Sequence, residues 1–160
     1  MDDLVDFGPS FHSRFNCLPF MGGRMNSFIL RLATILKAPR APPILKPEAK
    51  ECVRFANRCR ELSLRGDLKA VWFSVTNEYS GKTNKLFGCL MWAMGRIPGC
   101  PDYIFLWKRG CGCIEMKSAK GVLQPNQKVF KEWCETMDVP YVVCRSAEEA
   151  LLILAKWEVL

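Results

Sequence analysis

The fold of this chain is decided by the stretch Gly95-Arg-Ile-Pro-Gly-Cys-Pro-Asp-Tyr-Ile-Phe-Leu-Trp-Lys-Arg-Gly-Cys-Gly-Cys-Ile-Glu-Met-Lys117. It begins with a tight turn that ends in Pro-Asp, and an apolar run typical of a β-strand follows. The glycine-containing segment Arg109–Gly112 predicts a turn, after which the chain returns as a second strand over Cys113–Lys117. The pattern therefore predicts an antiparallel hairpin.

Polar side chains lie at regular positions on this hairpin. Because side chains alternate across a strand, Glu115 and Lys117 should share one face, while Ile114 and Met116 point to the other. Asp102 opens the neighbouring strand, and we expect pairing to bring its carboxylate beside Glu115. Two carboxylates and an ammonium can hold a divalent cation and stabilise developing negative charge, as phosphodiester cleavage requires. Taken singly, each residue also fits a turn position or a solvated ion pair.

Composition and charge limit the class of protein. The 160 residues carry 23 Lys and Arg against 16 Asp and Glu, a net charge of +7 that favours polyanions such as nucleic acid or an anionic membrane surface. The nine cysteines are scattered, and Met1-Asp2-Asp3 has no basic region of a signal peptide. We therefore expect reduced thiols in an intracellular compartment, not secretion. The early apolar run is shorter than the ~20 residues of a membrane-spanning helix.

The domain organisation follows from prolines, glycines and apolar periodicity. Residues 1–46 are expected to be a partly disordered leader and linker with one short amphipathic helix from about Asn26 to Lys37. Residues 47–160 are expected to form one α/β domain of order α-β-β-β-α-β-α, with a small helical insert between the first two strands. The predicted elements are helix Pro47–Leu64, strand Ala70–Thr76, insert Lys85–Met94, strands Tyr103–Lys108 and Cys113–Lys117, helix Pro125–Met137, strand Tyr141–Cys144 and a last helix after Ser146.

The motifs of this domain resemble a known family, the VRR-NUC domain of the PD-(D/E)xK nuclease superfamily. The resemblance covers about Glu48 to Leu160 and implies a restriction-endonuclease-like αβββαβ core with a mixed central sheet flanked by helices, plus a C-terminal helix. It also implies metal-dependent hydrolysis of DNA. The matching strings are Gly95-x-x-x-Gly99-x-Pro101-Asp102, Ile114-Glu115-x-Lys117, Pro125-x-Gln127-Lys128 and Val142-Val143-Cys144-Arg145-Ser146-x-Glu148-Glu149-Ala150.

The resemblance assigns roles to individual residues. Asp102 and Glu115 match the metal-binding carboxylates, and the backbone carbonyl of Met116 is expected to join them around Mg²⁺ or Mn²⁺. Lys117 matches the catalytic lysine that orients or activates the attacking water. Gln127 matches the glutamine at the start of the following helix, where it could equally make only local backbone hydrogen bonds.

The first helix and the first strand add two weaker matches. Glu48 fits the family's spacing from an acidic metal ligand to an aromatic-Ala pair, and Glu51 fits that spacing less well. A solvated helix face explains either residue. Asn77 matches an asparagine after the first strand, but Glu78 follows it where the family often has glycine. The geometry of that loop therefore stays open.

DNA is the partner that the resemblance implies. Contacts to phosphates give affinity without base specificity, and several of the basic residues also fit a solubilising surface. Stand-alone members of the family resemble junction or flap endonucleases, so we expect cleavage of branched, flap or Holliday-junction DNA in repair or recombination. A homodimer is left open. The basic residues expected to contact DNA are Lys82, Lys85, Arg96, Lys120 and Lys128.

Two alternatives accompany this interpretation. The chain could be a non-catalytic DNA-binding or assembly module that keeps the nuclease fold. Its cysteines at 89, 100, 111 and 113 could also form a structural zinc site, since thiolates at short spacing bind zinc well. No Cys-x-x-Cys pair occurs, and buried apolar thiols are the default expectation.

Overall fold

The computed structural model describes residues 27–38, 44–75 and 85–160, with side chains from residue 89 onward in the last range. The predicted Asn77 and Lys82, the side chain of Lys85, and most of the leader lie outside these residues. The chain divides into two units at Leu36. The first contains most of helix α1, Ser27–Leu36, a helix predicted from its periodicity, in which no residue is buried.

The second unit is a mixed α/β arrangement around a four-stranded sheet. The strands lie in the order β1-β2-β3-β4, with antiparallel pairing from β1 to β3 and parallel pairing between β3 and β4. Helices flank this sheet, as predicted. Its strands are β1 Val71–Ser74, β2 Tyr103–Trp107, β3 Gly110–Met116 and β4 Tyr141–Cys144, and its helices are α2 Pro47–Arg65, α3 Lys85–Ala93, α4 Pro125–Thr136 and α5 Ala147–Lys156.

One face of the sheet packs against α2 and α5 and forms the larger core. Phe55 from α2 and Leu154 from α5 are unexposed there, together with Phe105, Ile114 and Met116 from the sheet. Each such side chain contributes about 1.5–3 kcal/mol when it is fully buried. Because Ile114 and Met116 are buried in this core, the alternate residues Cys113 and Glu115 of β3 face the opposite side of the sheet.

Helix α4 covers part of the opposite face. Cys113 of β3 and Tyr141 of β4 are buried there against Cys134 of α4, and Ile104 of β2 packs against this cluster. On β1 and β2 the side chains of Val71 and Leu106 remain 69% and 45% exposed. The smaller core under α4 therefore lies mainly over β3 and β4.

Local signals end or begin the helices largely as expected. Pro47 starts α2, and Gly66 ends it with φ of 79° and an N–H that donates to the last-turn carbonyls. Ser146 accepts a hydrogen bond from the backbone N–H of Glu149 at 3.1 Å, which begins α5. The Glu149 carboxylate accepts a hydrogen bond from the backbone N–H of Arg145 at 2.6 Å.

The predicted turn over Arg109–Gly112 is wrong. Strand β3 already begins at Gly110, which pairs with Trp107, so the turn consists only of the two residues between them. A Cβ at residue 112 would lie 2.6 Å from the ring of Trp157. Gly112 makes room for the indole of Trp157 and does not turn the backbone. A local sequence pattern cannot distinguish these two reasons for a glycine. No helix in the described part of the chain has the length and apolar character needed to cross a bilayer.

Candidate active site

The hairpin brings Asp102 to the end of β3. Tyr103 pairs with Ile114, so the residue before β2 lies level with Glu115. The Asp102 carboxylate accepts a hydrogen bond at 2.8 Å from the backbone N–H of Met116. Its own carbonyl accepts from the N–H of Val75 at 3.0 Å, which ties the acid to the chain after β1.

Glu115 is the centre of the site and is completely buried. Its Oε1 accepts hydrogen bonds from Lys117 Nζ and from Gln127 Nε2, each at 2.5 Å. The Tyr141 hydroxyl faces Oε2 at 3.4 Å. An unpaired charge in such a position would be very unfavourable, and these donors offset its loss of water. The side chain of Lys117 is itself only 11% exposed.

The electrostatics of the site reflect crowded acids in a buried place. Burial, and then the nearby charge of Asp102, raise the pKa of Glu115 to about 7 against the opposing effect of Lys117. Burial lowers the pKa of Lys117, but its hydrogen bond and attraction to Glu115, with smaller contributions from Glu48 and Asp102, raise it overall. Burial and the Glu115 charge raise the pKa of Tyr141, so its hydroxyl remains a donor. Lys117 is therefore cationic at neutral pH, while Glu115 can hold a proton there.

Gln127 makes two contacts, a local backbone hydrogen bond at the start of α4 and a hydrogen bond to Glu115. It is the third residue of α4, and its Oε1 accepts a hydrogen bond from the backbone N–H of Gln124 at 2.9 Å. Because the amide oxygen is held at the helix start, the amide NH₂ faces Glu115. A local capping contact thus orients a donor toward the site.

Glu48 and Glu51 have different surroundings. Glu48 accepts a hydrogen bond at 3.0 Å from the N–H of Ser118, directly after Lys117. Glu51 accepts from the N–H of Ala147 at 3.0 Å and therefore caps α5. Glu48 is the acid of α2 that lies beside the site.

The chain was compared with protein-family models, curated proteins and solved structures. None of the three comparisons finds a match. The VRR-NUC resemblance therefore depends on the motifs quoted above.

Two contributors to the site lacked an assigned role in the sequence. Tyr141 pairs with Cys113 across the parallel strands, which brings its hydroxyl to Glu115. Arg145 donates from Nη1 to the carbonyls of Ser118, Ala119 and Gly121 at 2.6, 3.0 and 3.1 Å. It thereby holds the loop that follows Lys117. Arg145 belongs to one of the motifs quoted above. For Tyr141, the signal was a polar hydroxyl in an otherwise apolar strand, which needs a partner such as Glu115 when it is buried.

Three of the predicted basic residues have described side chains. Lys120, in the loop after β3, and Lys128, in the first turns of α4, are exposed, whereas Arg96 is half-buried. The two exposed lysines belong to the segments that carry Lys117 and Gln127. They therefore add exposed positive charge to the two segments that supply donors to Glu115.

The cysteines do not assemble into the zinc site considered from the sequence. Among the described residues, no group of three or more His, Cys, Asp or Glu side chains is arranged to hold a metal ion. Cys89 is exposed, and burial raises the pKa of Cys113 to about 12. All eight described thiols are free, and only half of them, Cys59, Cys113, Cys134 and Cys144, are buried as expected.

Proposed function

We propose that the protein is a metal-dependent DNA endonuclease of the VRR-NUC type with a restriction-endonuclease-like core. The observation that carries the proposal is the convergence of Lys117 and Gln127 on one oxygen of the buried Glu115, with Asp102 on the adjoining strand. Further support comes from the element order α2-β1-β2-β3-α4-β4, in which α4 connects two parallel strands. A buried acid whose pKa is raised by desolvation and by a neighbouring charge is a candidate functional group.

The oxygen donors at this site fit a hard divalent cation. Asp102 and Glu115 would hold Mg²⁺ or Mn²⁺ together with the backbone carbonyl of Met116, and Glu48 lies beside them. The raised pKa of Glu115 reflects burial and uncompensated negative charge, which a cation would relieve. When bound, such a cation lowers the pKa of ligated water and polarises the scissile phosphate.

The side chains of the protein supply positioning and charge. Lys117 is held in place by Glu115, so its positive charge can orient the attacking water and stabilise negative charge on the phosphate without reorganisation. Gln127 donates to the same oxygen of Glu115 as Lys117 does, and the Tyr141 hydroxyl faces the other oxygen. The water oxygen forms a bond to phosphorus and gives up a proton, while the bond to the leaving oxygen breaks and that oxygen takes up a proton, both by exchange with solvent.

The proposed substrates are branched, junction or flap DNA. Lys120 and Lys128 beside the site are suited to phosphate contacts, which give affinity and register but no sequence readout. Selectivity would then come from the shape of the DNA. A comparison of DNA structures therefore tests this choice of substrate separately from the cleavage chemistry.

Cleavage of a panel of fluorescent DNAs tests the proposal. The purified full chain should cut flap or four-way DNA with Mg²⁺ or Mn²⁺ and cut nothing in EDTA, and Asp102→Asn should abolish cutting. Asp67→Asn makes the same change at an exposed position after α2 and should leave the rate unchanged. Retained activity in Asp102→Asn would contradict the site. Binding without cleavage under every metal condition would instead favour the non-catalytic DNA-binding module.

A further inference from the structure

An apolar groove lies beside the candidate site, between the segment before β2 and helix α4. Its volume is about 270 Å³. Val129 is 66% exposed and Trp133 is 50% exposed, and these two large apolar side chains lie one helical turn apart. The residues that line the groove are Ile97, Pro98, Asn126, Val129, Phe130 and Trp133.

Two residues that line the groove adjoin residues of the site. Asn126 lines it and directly precedes Gln127, whose amide donates to Glu115. The ring of Phe130 lies 6.4 Å from the ring of Tyr141, and the Tyr141 hydroxyl faces Glu115. Helix α4 therefore contributes both to the groove and to the site.

We propose that this groove binds an unpaired nucleobase of the DNA substrate, a few nucleotides from the phosphate that is cut. The inference rests on the proposed nuclease function and names what the enzyme selects. The rings of Phe130 and Trp133 meet edge to face at 5.7 Å and offer an aromatic surface on which a base can stack. Every base has a flat aromatic face, so the groove would bind an unpaired base whatever its identity.

Size and charge favour this occupant. The volume lies below the roughly 300–1,000 Å³ of pockets that enclose drug-sized ligands, so it suits one ring system. The net charge of +7 favours the phosphates on either side of the base. A base has the flat apolar surface that the groove accepts, and its attached phosphates suit the charge of the chain.

This binding distinguishes classes of DNA. In continuous duplex every base is stacked and paired, so none can enter the groove without the cost of extrusion. A flap, a single-stranded end or an opened branch point presents a free base at no such cost. The groove therefore selects DNA in which single strand and duplex meet.

Binding is measured in the Lys117→Ala background, which should not cut DNA. The probes are a fluorescent duplex with a short thymine flap and the same duplex whose flap carries abasic sites. Trp133→Ala should weaken binding of the thymine flap about tenfold and leave binding of the abasic flap unchanged, since stacking of one base has this magnitude. Trp133→Phe should keep most of the preference for thymine.

A second pair of variants guards against a folding defect. Val129→Glu introduces a carboxylate at the groove, and Leu152→Glu makes the same change at an equally exposed position of α5, with exposures of 66% and 65%. Only Val129→Glu should reduce the preference for thymine over abasic flaps. Both variants should unfold at the temperature of the parent protein.

The outcomes separate the groove from the nuclease. Equal loss of thymine and abasic flaps in Trp133→Ala, or equal behaviour of Val129→Glu and Leu152→Glu, overturns the groove proposal even if the wild type cuts DNA. A thymine preference that depends on Trp133 supports the groove even if no metal produces cleavage, in which case only the nuclease proposal fails. Loss of self-association in Trp133→Ala without loss of the preference would identify the groove as an interface between copies and overturn its role with DNA.

Discussion

Replacing Gly99 with alanine tests how closely the segment before β2 is fitted to the start of α4. Gly99 has φ of 85°, and a Cβ there would lie 2.3 Å from the carbonyl oxygen of Asn126 and 2.8 Å from the nitrogen of Gln127. Both are backbone atoms, so neither can rotate away as a side-chain end could. The segment or the helix must move.

The expected cost has two parts. A left-handed backbone costs an alanine about 1–2 kcal/mol relative to glycine. Overpacking in a tightly fitted place adds about 1–3 kcal/mol. Gly99→Ala should therefore lower the free energy of unfolding by about 2–5 kcal/mol. Gly95 is a matched control, since its φ is 95° but no described atom lies within 4 Å of its Cβ position. Gly95→Ala should lose only the first part.

Urea unfolding followed by tryptophan fluorescence measures both costs as shifts of the midpoint at constant slope. DNA cleavage is measured on the same variants. Gly99→Ala should cut more slowly because it displaces the backbone of Gln127, whereas Gly95→Ala should cut at nearly the wild-type rate. Equal destabilisation of the two variants, or full activity in Gly99→Ala, would refute the close fit.

Three further predictions concern charge, loop and thiols. In EDTA, folded Glu115 keeps its proton up to about pH 7 while the unfolded chain releases it near its ordinary pKa of 4.5, so stability falls as pH rises through this window. Relative to Glu115→Gln, the wild type should lose about 3 kcal/mol between pH 5 and pH 8, and a pH-independent difference in urea unfolding would contradict this. Arg145→Ala should lower the free energy of unfolding by about 1–3 kcal/mol in the same assay, with only partial recovery in Arg145→Lys, and full stability in Arg145→Ala would show that the loop contacts contribute nothing. Iodoacetamide should label the exposed Cys89 in folded protein and spare Cys59 and Cys144, because burial raises the pKa of each of these two thiols to about 12, and mass spectra with equal labelling would refute this burial.

Features set by local patterns could be predicted from the sequence. Alternation along β3 was sufficient to send Ile114 and Met116 into the core and Glu115 to the other face, because the period of two is a property of the strand itself. The order of helices and strands followed from apolar periodicity in the same way. Helix starts at Pro47 and Pro125 were also readable, since proline fits the first helical position.

Features that depend on distant parts of the chain could not be predicted. Gly112 was taken as a turn residue because its neighbour in space, Trp157, belongs to the last segment of the chain. The same holds for Tyr141, which reaches Glu115 only through the parallel pairing of β3 and β4. The contacts of Arg145 with the loop after Lys117 join two segments separated by a whole helix.

The proposed active site is tested most directly by the cleavage rate of Lys117→Ala. Single-turnover cutting of flap or four-way DNA is measured with Mg²⁺ and with Mn²⁺, and DNA affinity is measured alongside. Lys156→Ala is the matched control, since it removes an exposed lysine from the end of α5, outside the segments proposed to contact DNA. Lys117→Ala should cut at least about a hundredfold more slowly than the wild type with nearly unchanged affinity. Lys156→Ala should keep its rate, and equal cleavage by wild type and Lys117→Ala would contradict the proposed chemistry.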